Sequence, residues 1–283
     1  MKIAVASGKG GTGKTTVAAN LALCVSEKYN TCLIDCDVEE PNLSIFFKGA
    51  ETKEEVFLKK PRVDKDICTL CKKCAEFCRF GAINIINEKV LISDVLCHSC
   101  GGCRIICPEY AIYQIDVSIG AVTKSYISDR LVLREGRLTP GQPSGNDIIK
   151  ASKQNTDDYD CVIFDAPPGS ACPFIETVSD SDFCILVTEP TPFGLHDLKA
   201  AYETGRVTGV PMGVIINRSM GSDIETEEYC RKNSLEILMR IPNDLKIAVV
   251  QNKGGLFSKD NPQWKKNFIN LYERILKLNG GAL

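Results

Sequence analysis

The sequence predicts an α/β protein built on a doubly wound, mostly parallel sheet, with a small α+β insert. Three observations carry this expectation. An apolar strand runs into a glycine-rich turn and then a helix over the first 25 residues, four further short apolar runs are each bounded by helical or turn-like sequence, and a cysteine-dense stretch interrupts the rhythm.

Taken in order, Met1 to Ser7 reads as a strand and Thr15 to Val25 as a helix, with Val17, Leu21 and Val25 at helical spacing. Thr31 to Ile34, Cys161 to Phe164, Phe183 to Val187 and Met212 to Ile216 read as further strands. The region from about Arg62 to Val117 lacks any long helix pattern. It contains ICTLCKKCAEFCRFGAINI and LCHSCGGCRIICPEYAIYQI, which repeat at an offset of 29 residues, Cys68 onto Cys97 and Cys78 onto Cys107. The expected organisation is therefore one discontinuous domain, 1–61 with 118–283, holding an insert at 62–117. At the far end Asn261-Pro262 opens a helix in which Trp264, Phe268, Leu271, Ile275 and Leu278 share a face, suited to packing on the sheet; an amphipathic membrane helix is the alternative, disfavoured by its few basic residues.

The chain has 283 residues, and Lys+Arg 34 against Asp+Glu 36 leaves no global field favouring nucleic acid or an anionic membrane. Its apolar runs fall short of the ~18 residues of a membrane span, and no signal-peptide pattern precedes the first strand, so a cytoplasmic location is expected. Fifteen cysteines in that compartment point to metal or redox chemistry rather than disulfides.

Gly8-Lys9-Gly10-Gly11-Thr12-Gly13-Lys14-Thr15 satisfies the phosphate-loop pattern G-x-x-x-x-G-K-[ST], placed after a strand and before a helix. Its glycines let backbone N–H groups converge on phosphate oxygens, and the helix N-terminus adds partial positive charge. Gly8, Gly10, Gly11, Thr12, Gly13, Lys14, Thr15 and Thr16 are the expected nucleotide-binding residues. Lys14 is expected on the β- and γ-phosphates of ATP or ADP and Thr15 on Mg²⁺.

The second lysine, Lys9, makes KGGTGKTT, which resembles the deviant phosphate loop of the MinD, ParA and nitrogenase iron protein class. The resemblance implies that Lys9 reaches across an ATP-dependent homodimer to the partner's phosphates. It also implies that Asp37, in IDCDVEEPN with Asp35, orients the attacking water, and that Asp165, in VIFDAPPG, holds Mg²⁺ through water. Catalytic roles thus fall on Lys9, Lys14, Asp37 and Asp165. Asn217 in VIINR is similar to the family's adenine-reading asparagine, with capping of the following helix as its alternative, and Pro242 and Asn243 of IPND fall where relatives line the base pocket.

Cys68-x2-Cys71-x2-Cys74-x3-Cys78 and Cys97-x2-Cys100-x2-Cys103-x3-Cys107-Pro108 resemble the bacterial ferredoxin run, in which the fourth cysteine serves the other cluster. The resemblance implies two [4Fe–4S] clusters, one on Cys68, Cys71, Cys74 and Cys107, the other on Cys97, Cys100, Cys103 and Cys78. Zinc is the competing metal. Arg79 follows Cys78 where the run usually has proline, which leaves the local turn open. Of the remaining cysteines, Cys24, Cys32, Cys36, Cys161, Cys184 and Cys230 read as small buried hydrophobes. Cys172 reads as a buried thiol in a switch helix, or as a residue facing a partner or shared cluster at a dimer axis.

The whole chain, including GRLTPGQPSGN and TEPTPFGLHDLKAA, resembles MinD-superfamily ATPases carrying an inserted ferredoxin domain. That resemblance implies an ATPase whose nucleotide state gates electron transfer to, or docking with, a redox or iron–sulfur partner protein; the charge balance and the few basic residues of the last helix lead to no nucleic acid or membrane partner being expected. The alternatives are an iron–sulfur carrier, disfavoured by the lack of a CxxC after Cys107, and a positioning ATPase with purely structural clusters.

Overall fold

A computed structural model describes residues 1–221 and 223–280. In chain order the elements are β1 (Lys2–Ala6), α1 (Lys14–Val25), β2 (Thr31–Asp35), β3 (Ala50–Val63), α2 (Lys73–Phe77), β4 (Ile83–Ile86), β5 (Lys89–Ile92), α3 (Gly102–Ile106), β6 (Ile112–Ser128) and β7 (Leu131–Leu138). There follow α4 (Asn146–Lys153), β8 (Cys161–Asp165), α5 (Cys172–Val178), β9 (Phe183–Thr188), α6 (Pro192–Arg206), β10 (Met212–Ser219), α7 (Ile224–Lys232), β11 (Glu236–Pro242), α8 (Leu245–Asn252) and α9 (Pro262–Leu278). Two compact units divide these elements: Met1–Lys53, Val122–Arg137 and the chain from Asn146 form one, Glu54–Ala121 with Leu138–Gly145 the other.

The first unit is built on a large parallel sheet of order β11-β10-β9-β1-β8-β2-β7. Strands β2, β8 and β9 are buried from end to end, as helices on both faces of a parallel sheet require. Ile3, Val5, Leu33, Ile163 and Ile185 pack beneath Val17 and Leu21 of α1 and Phe268, Leu271 and Ile275 of α9 in one core. Each such side chain, fully buried, contributes about 1.5–3 kcal/mol. Helix α9 opens with Pro262 at its first position, and Asn261 Oδ1 accepts from the backbone N–H groups of Gln263 and Trp264 at 3.1 and 3.2 Å. Its apolar face is thus spent on the core, apart from Leu278 at its last residue, which is exposed. No helix among the described residues is long and apolar enough to cross a membrane.

Strand β7 escapes the apolar-run reading because LVLREGRL carries buried Arg134 and Glu135. Both find partners in the fold: the Arg134 Nη groups donate to the carbonyls of Ser152, Gln154 and Asn155, although its Nε is buried without a partner among the described residues, and Glu135 Oε1 accepts from the Ser44 N–H at 2.9 Å. Charges that find hydrogen-bond partners can sit in a strand that composition alone would call a loop.

In the second unit the sequence repeat is a structural repeat. Helices α2 and α3 start and end 29 residues apart, and three left-handed backbone positions recur at that offset: Leu70 and Ser99, Lys72 and Gly101, Gly81 and Tyr110. The halves exchange hydrogen bonds symmetrically, Asp64 N–H to Ala111 O and Ser93 N–H to Ala82 O, each 2.8 Å. At the departure from the ferredoxin run, Cys78 has φ −74° and ψ 95° while Cys107, before its proline, has φ −73° and ψ 112°. Arg79 therefore leaves the turn unchanged.

Candidate functional site: a phosphate loop and two cysteine cavities

Strand β1 ends in the glycine-rich loop at the carboxyl edge of the parallel sheet, where α/β folds place their ligands. Gly11 and Gly13 adopt φ +80° and +92°, a region glycine enters without strain. A side chain at Gly13 would also meet Asn217 Nδ2 at 2.4 Å, and one at Gly8 would lie 2.1 Å from the carbonyl of Asp197 in α6. The loop can follow its path only with glycine at both positions. Helix α1 begins at Lys14 with no side-chain cap, which leaves its first N–H groups free for an anion.

Registration of the strands sets the charges. Asp35 at the end of β2 lies opposite Asp165 at the end of β8. Lys14, which is nearly buried, holds its ammonium 3.4 Å from Asp165 Oδ1, 3.9 Å from Asp37 Oδ2 and 3.4 Å from Thr15 Oγ1. Burial raises the Asp165 carboxyl above its usual range, opposed first by the Lys14 charge. Its second oxygen, Oδ2, is buried without a hydrogen-bond partner among the described residues. Asp35 accepts from the backbone N–H groups of Asp37 at 3.0 Å, Asn42 at 2.9 Å and Leu43 at 3.2 Å, and so pins the loop after β2. Burial, then the charge of Asp165, pushes its carboxyl up to about 7.

Around this charge cluster lies a cavity of about 370 Å³ lined by Gly10, Gly11, Gly13, Lys14, Thr15 and Thr16, together with Asp37, Asn217 and Pro168. Glu40 and Asn42 also line it; both lie in the IDCDVEEPN stretch, whose aspartates alone drew notice in the sequence. Arg218, the last residue of the VIINR stretch in which only the asparagine drew notice, and Gln251, which lies in no quoted motif, line it too. Asn217 sits within β10 and caps no helix; its Nδ2 donates to the carbonyl of Thr12 at 2.8 Å, tying β10 to the phosphate loop. Pro242 is exposed at the end of β11, and neither it nor Asn243 lines the cavity. Lys9 forms an ion pair with Asp197, Nζ to Oδ2 3.6 Å. No sequence signal pointed to Asp197.

The structure gathers the eight grouped cysteines into two cavities. One is lined by Cys68, Cys71, Cys74 and Cys107 with the apolar Val63, Ile85, Val90 and Ile112, and its atom-free space is about 370 Å³. The other, with atom-free space of about 1210 Å³ that includes open solvent, is lined by Cys78, Cys97, Cys100 and Cys103. Each cavity thus takes three cysteines of one run and the fourth of the other. The Cys74 and Cys103 thiols are raised, chiefly by burial; Cys68 and Cys107 add to the shift of Cys74, Cys97 and Cys100 to that of Cys103. Among the described residues no three His, Cys, Asp or Glu side chains close on a point that one ion could occupy. Four thiols about one space are a donor set that suits an iron–sulfur cubane and a tetrahedral zinc alike.

Cys24, Cys32, Cys36, Cys161, Cys184 and Cys230 are buried. Cys172 is not the buried thiol expected of it. It is the first residue of α5, too near the helix end to be covered, and is exposed.

A parallel sheet with a glycine loop, a lysine and paired aspartates at its carboxyl edge defines a nucleotide-binding α/β protein. The family model of the CobQ/CobB/MinD/ParA nucleotide binding domain matches residues 3–257, and the chain belongs to that family. An uncharacterized protein of Methanocaldococcus jannaschii is 30% identical over 97% of this chain and 96% of its own length. The septum site-determining protein MinD of Thermotoga maritima is 27% identical over 96% of this chain and 87% of its own, and an iron–sulfur cluster carrier protein of Pyrococcus horikoshii 28% identical over 97% and 85%. Among solved structures, the cell division ATPase MinD of Pyrococcus furiosus superposes with a TM-score of 0.58 at 22% identity, covering 98% of each chain.

Proposed function

We propose that this protein is a Mg²⁺-dependent ATPase in which nucleotide state gates electron transfer, or partner docking, by a two-cluster ferredoxin-like insert at 62–117. What carries the reading is the coexistence, in one chain, of the lysine–aspartate phosphate site and two cavities that each draw four cysteines from crossed runs.

In this reading the loop glycines and Thr16 bind the phosphates of ATP or ADP, and Lys14 neutralises their charge. The unpartnered Asp165 oxygen and the Thr15 hydroxyl fit a hydrated Mg²⁺. Asp37 orients the attacking water. Lys9 exchanges Asp197 for the phosphates of a second copy, making the ATP-bound form a homodimer. Asn217 holds the loop beside the base, a positioning role in place of direct adenine reading. The thiol sets fit two [4Fe–4S] clusters, which supply one-electron chemistry when bound. ATP binding orders the loops after β2 and β8, and hydrolysis releases them, which is how a phosphate site biases a distant docking surface.

The test is the anaerobically prepared full chain: ATP turnover is measured with the clusters oxidised and reduced, and with a partner captured under each nucleotide. A turnover that ignores cluster oxidation state, together with clusters that ignore nucleotide, defeats the coupling.

The relatives named iron–sulfur cluster carrier proteins support a second reading, in which the chain delivers clusters to other proteins. Transfer of iron and sulfide to an apo-ferredoxin under ATP would favour it; the absence of a CxxC after Cys107 argues the other way.

A further inference from the structure

The largest side chain sealed inside the second unit is a charged one. Lys60 of β3 is 1% exposed, and its ammonium donates to two neutral groups, the carbonyl of Asp94 at 3.1 Å and that of Cys97 at 2.7 Å. Among the described residues no carboxylate lies within ion-pair distance of it. The Asp94 carboxylate is taken by Arg62, whose Nη1 and Nη2 each donate to one of its oxygens at 2.8 Å. A buried cation with only carbonyl partners is costly unless a negative charge stands nearby.

The internal repeat supplies a control within the same molecule. Displaced by 29 residues, Lys60 becomes Lys89, again a lysine, but that one is exposed at the start of β5. The charges lining the cavities otherwise balance: Lys72 and Glu109 at the first, Arg79 and Glu76 at the second, where His98 stacks on Phe80 with ring centroids 3.8 Å apart. Cys68 of the first site also borders an open cavity lined by Arg62, Lys65 and Lys89 against Glu88 and Asp94, where solvent screens the charges; the second site has instead a sealed ammonium on the backbone of Cys97.

We infer that Lys60 makes the two cluster sites electrically unequal, its buried charge stabilising the reduced form of the cluster held by Cys97, Cys100, Cys103 and Cys78. The inference rests on the two-cluster reading and deepens it. A thiolate-bound iron–sulfur cluster is an anion that gains one negative charge on reduction, so a fixed cation behind one ligand raises that cluster's potential, as net charge and surrounding polarity do in general. One electron supplied by an external reductant, which is itself oxidised by one electron, then rests on the cluster of the second cavity in preference to the first. Lys60 is a positioning residue for charge and touches no reacting atom. The greater size of the second cavity acts in the same direction through solvent access, so a variant is needed to isolate the lysine.

The test is an EPR-monitored redox titration of the full-length protein, reconstituted anaerobically. Wild type should show two separate one-electron waves, and Cys100→Ser should abolish or displace the one at higher potential. Lys60→Gln should lower that wave alone, by about tenfold in its reduction equilibrium, which is about 59 mV for a one-electron couple. Lys60→Arg should restore it, and Lys89→Gln should move neither wave. A single wave in wild type, loss of the lower wave in Cys100→Ser, or equal shifts in the glutamine and arginine variants would overturn the inference. If Lys60→Gln fails to take up full iron, the Cys100→Ser assignment in the wild-type background still decides. Wild type without iron would instead sink the cluster reading itself.

Discussion

The ammonium of Lys14 stands 3.4 Å from Oδ1 of Asp165, joining the phosphate loop after β1 to the end of β8 inside the fold. The lysine proposed to meet phosphate is, in the free protein, the counter-charge of a fully buried carboxylate. Lys14→Gln should therefore act twice: ATP turnover falls by about 10²-fold or more as charge stabilisation is lost, and Asp165 is left unpaired. Steady-state phosphate release and a thermal melt of the same variant measure both, and a variant that melts as wild type would contradict the second.

Lys9 is held by Asp197 in the single chain. Lys9→Ala should bind ATP yet fail to dimerise with a non-hydrolysable analogue, and Asp197→Asn should dimerise at lower analogue concentration. Analytical ultracentrifugation across an analogue titration reads the two variants in opposite directions.

Asp35 sets a pH dependence. Its carboxyl is raised from 3.8 to about 7 by burial and by Asp165, so the folded state binds a proton that the unfolded state has released across that window. Stability of the nucleotide-free protein should fall as pH rises from about 4 to about 7, by at most about 1.4 kcal/mol per pH unit from this group. Urea denaturation at a series of pH values should show that slope, and Asp35→Asn should flatten it.

Gly13→Ala adds a Cβ at φ +92° and 2.4 Å from Asn217 Nδ2. The left-handed backbone costs about 1–2 kcal/mol, and the clash drives Asn217 off the carbonyl of Thr12. Nucleotide affinity should drop at least tenfold by calorimetry, and the variant should melt below wild type, whereas Gly10→Ala, where a Cβ meets nothing within 4 Å, should melt nearly as wild type.

Residues whose chemistry repeats at fixed spacing were legible without coordinates. Gly10, Gly11, Gly13 and Lys14 line one cavity and the eight cysteines two others, whereas Gly8 and Thr12 of the same loop do not line the first. The five apolar strands read from the sequence are β1, β2, β8, β9 and β10, because a strand buried on both faces must be apolar throughout. Strand β7 hid behind Arg134 and Glu135, whose partners lie up to 91 residues away. Asp197, Gln251 and Lys60 were invisible for the same reason. What each does is fixed by a neighbour that only folding supplies, and the exposure of Cys172 follows from where α5 begins.

In the proposed function one chain couples an ATP site to two four-iron clusters held by crossed cysteine runs. The most direct measurement is iron and acid-labile sulfide per chain after anaerobic purification, with EPR of the reduced protein recorded with and without Mg-ATP. About eight iron and eight sulfide per chain, about four of each in Cys71→Ser, an unchanged count in Cys172→Ser and a spectrum altered by Mg-ATP are the expected results. Iron-free protein, or clusters whose spectrum is indifferent to nucleotide, would contradict it.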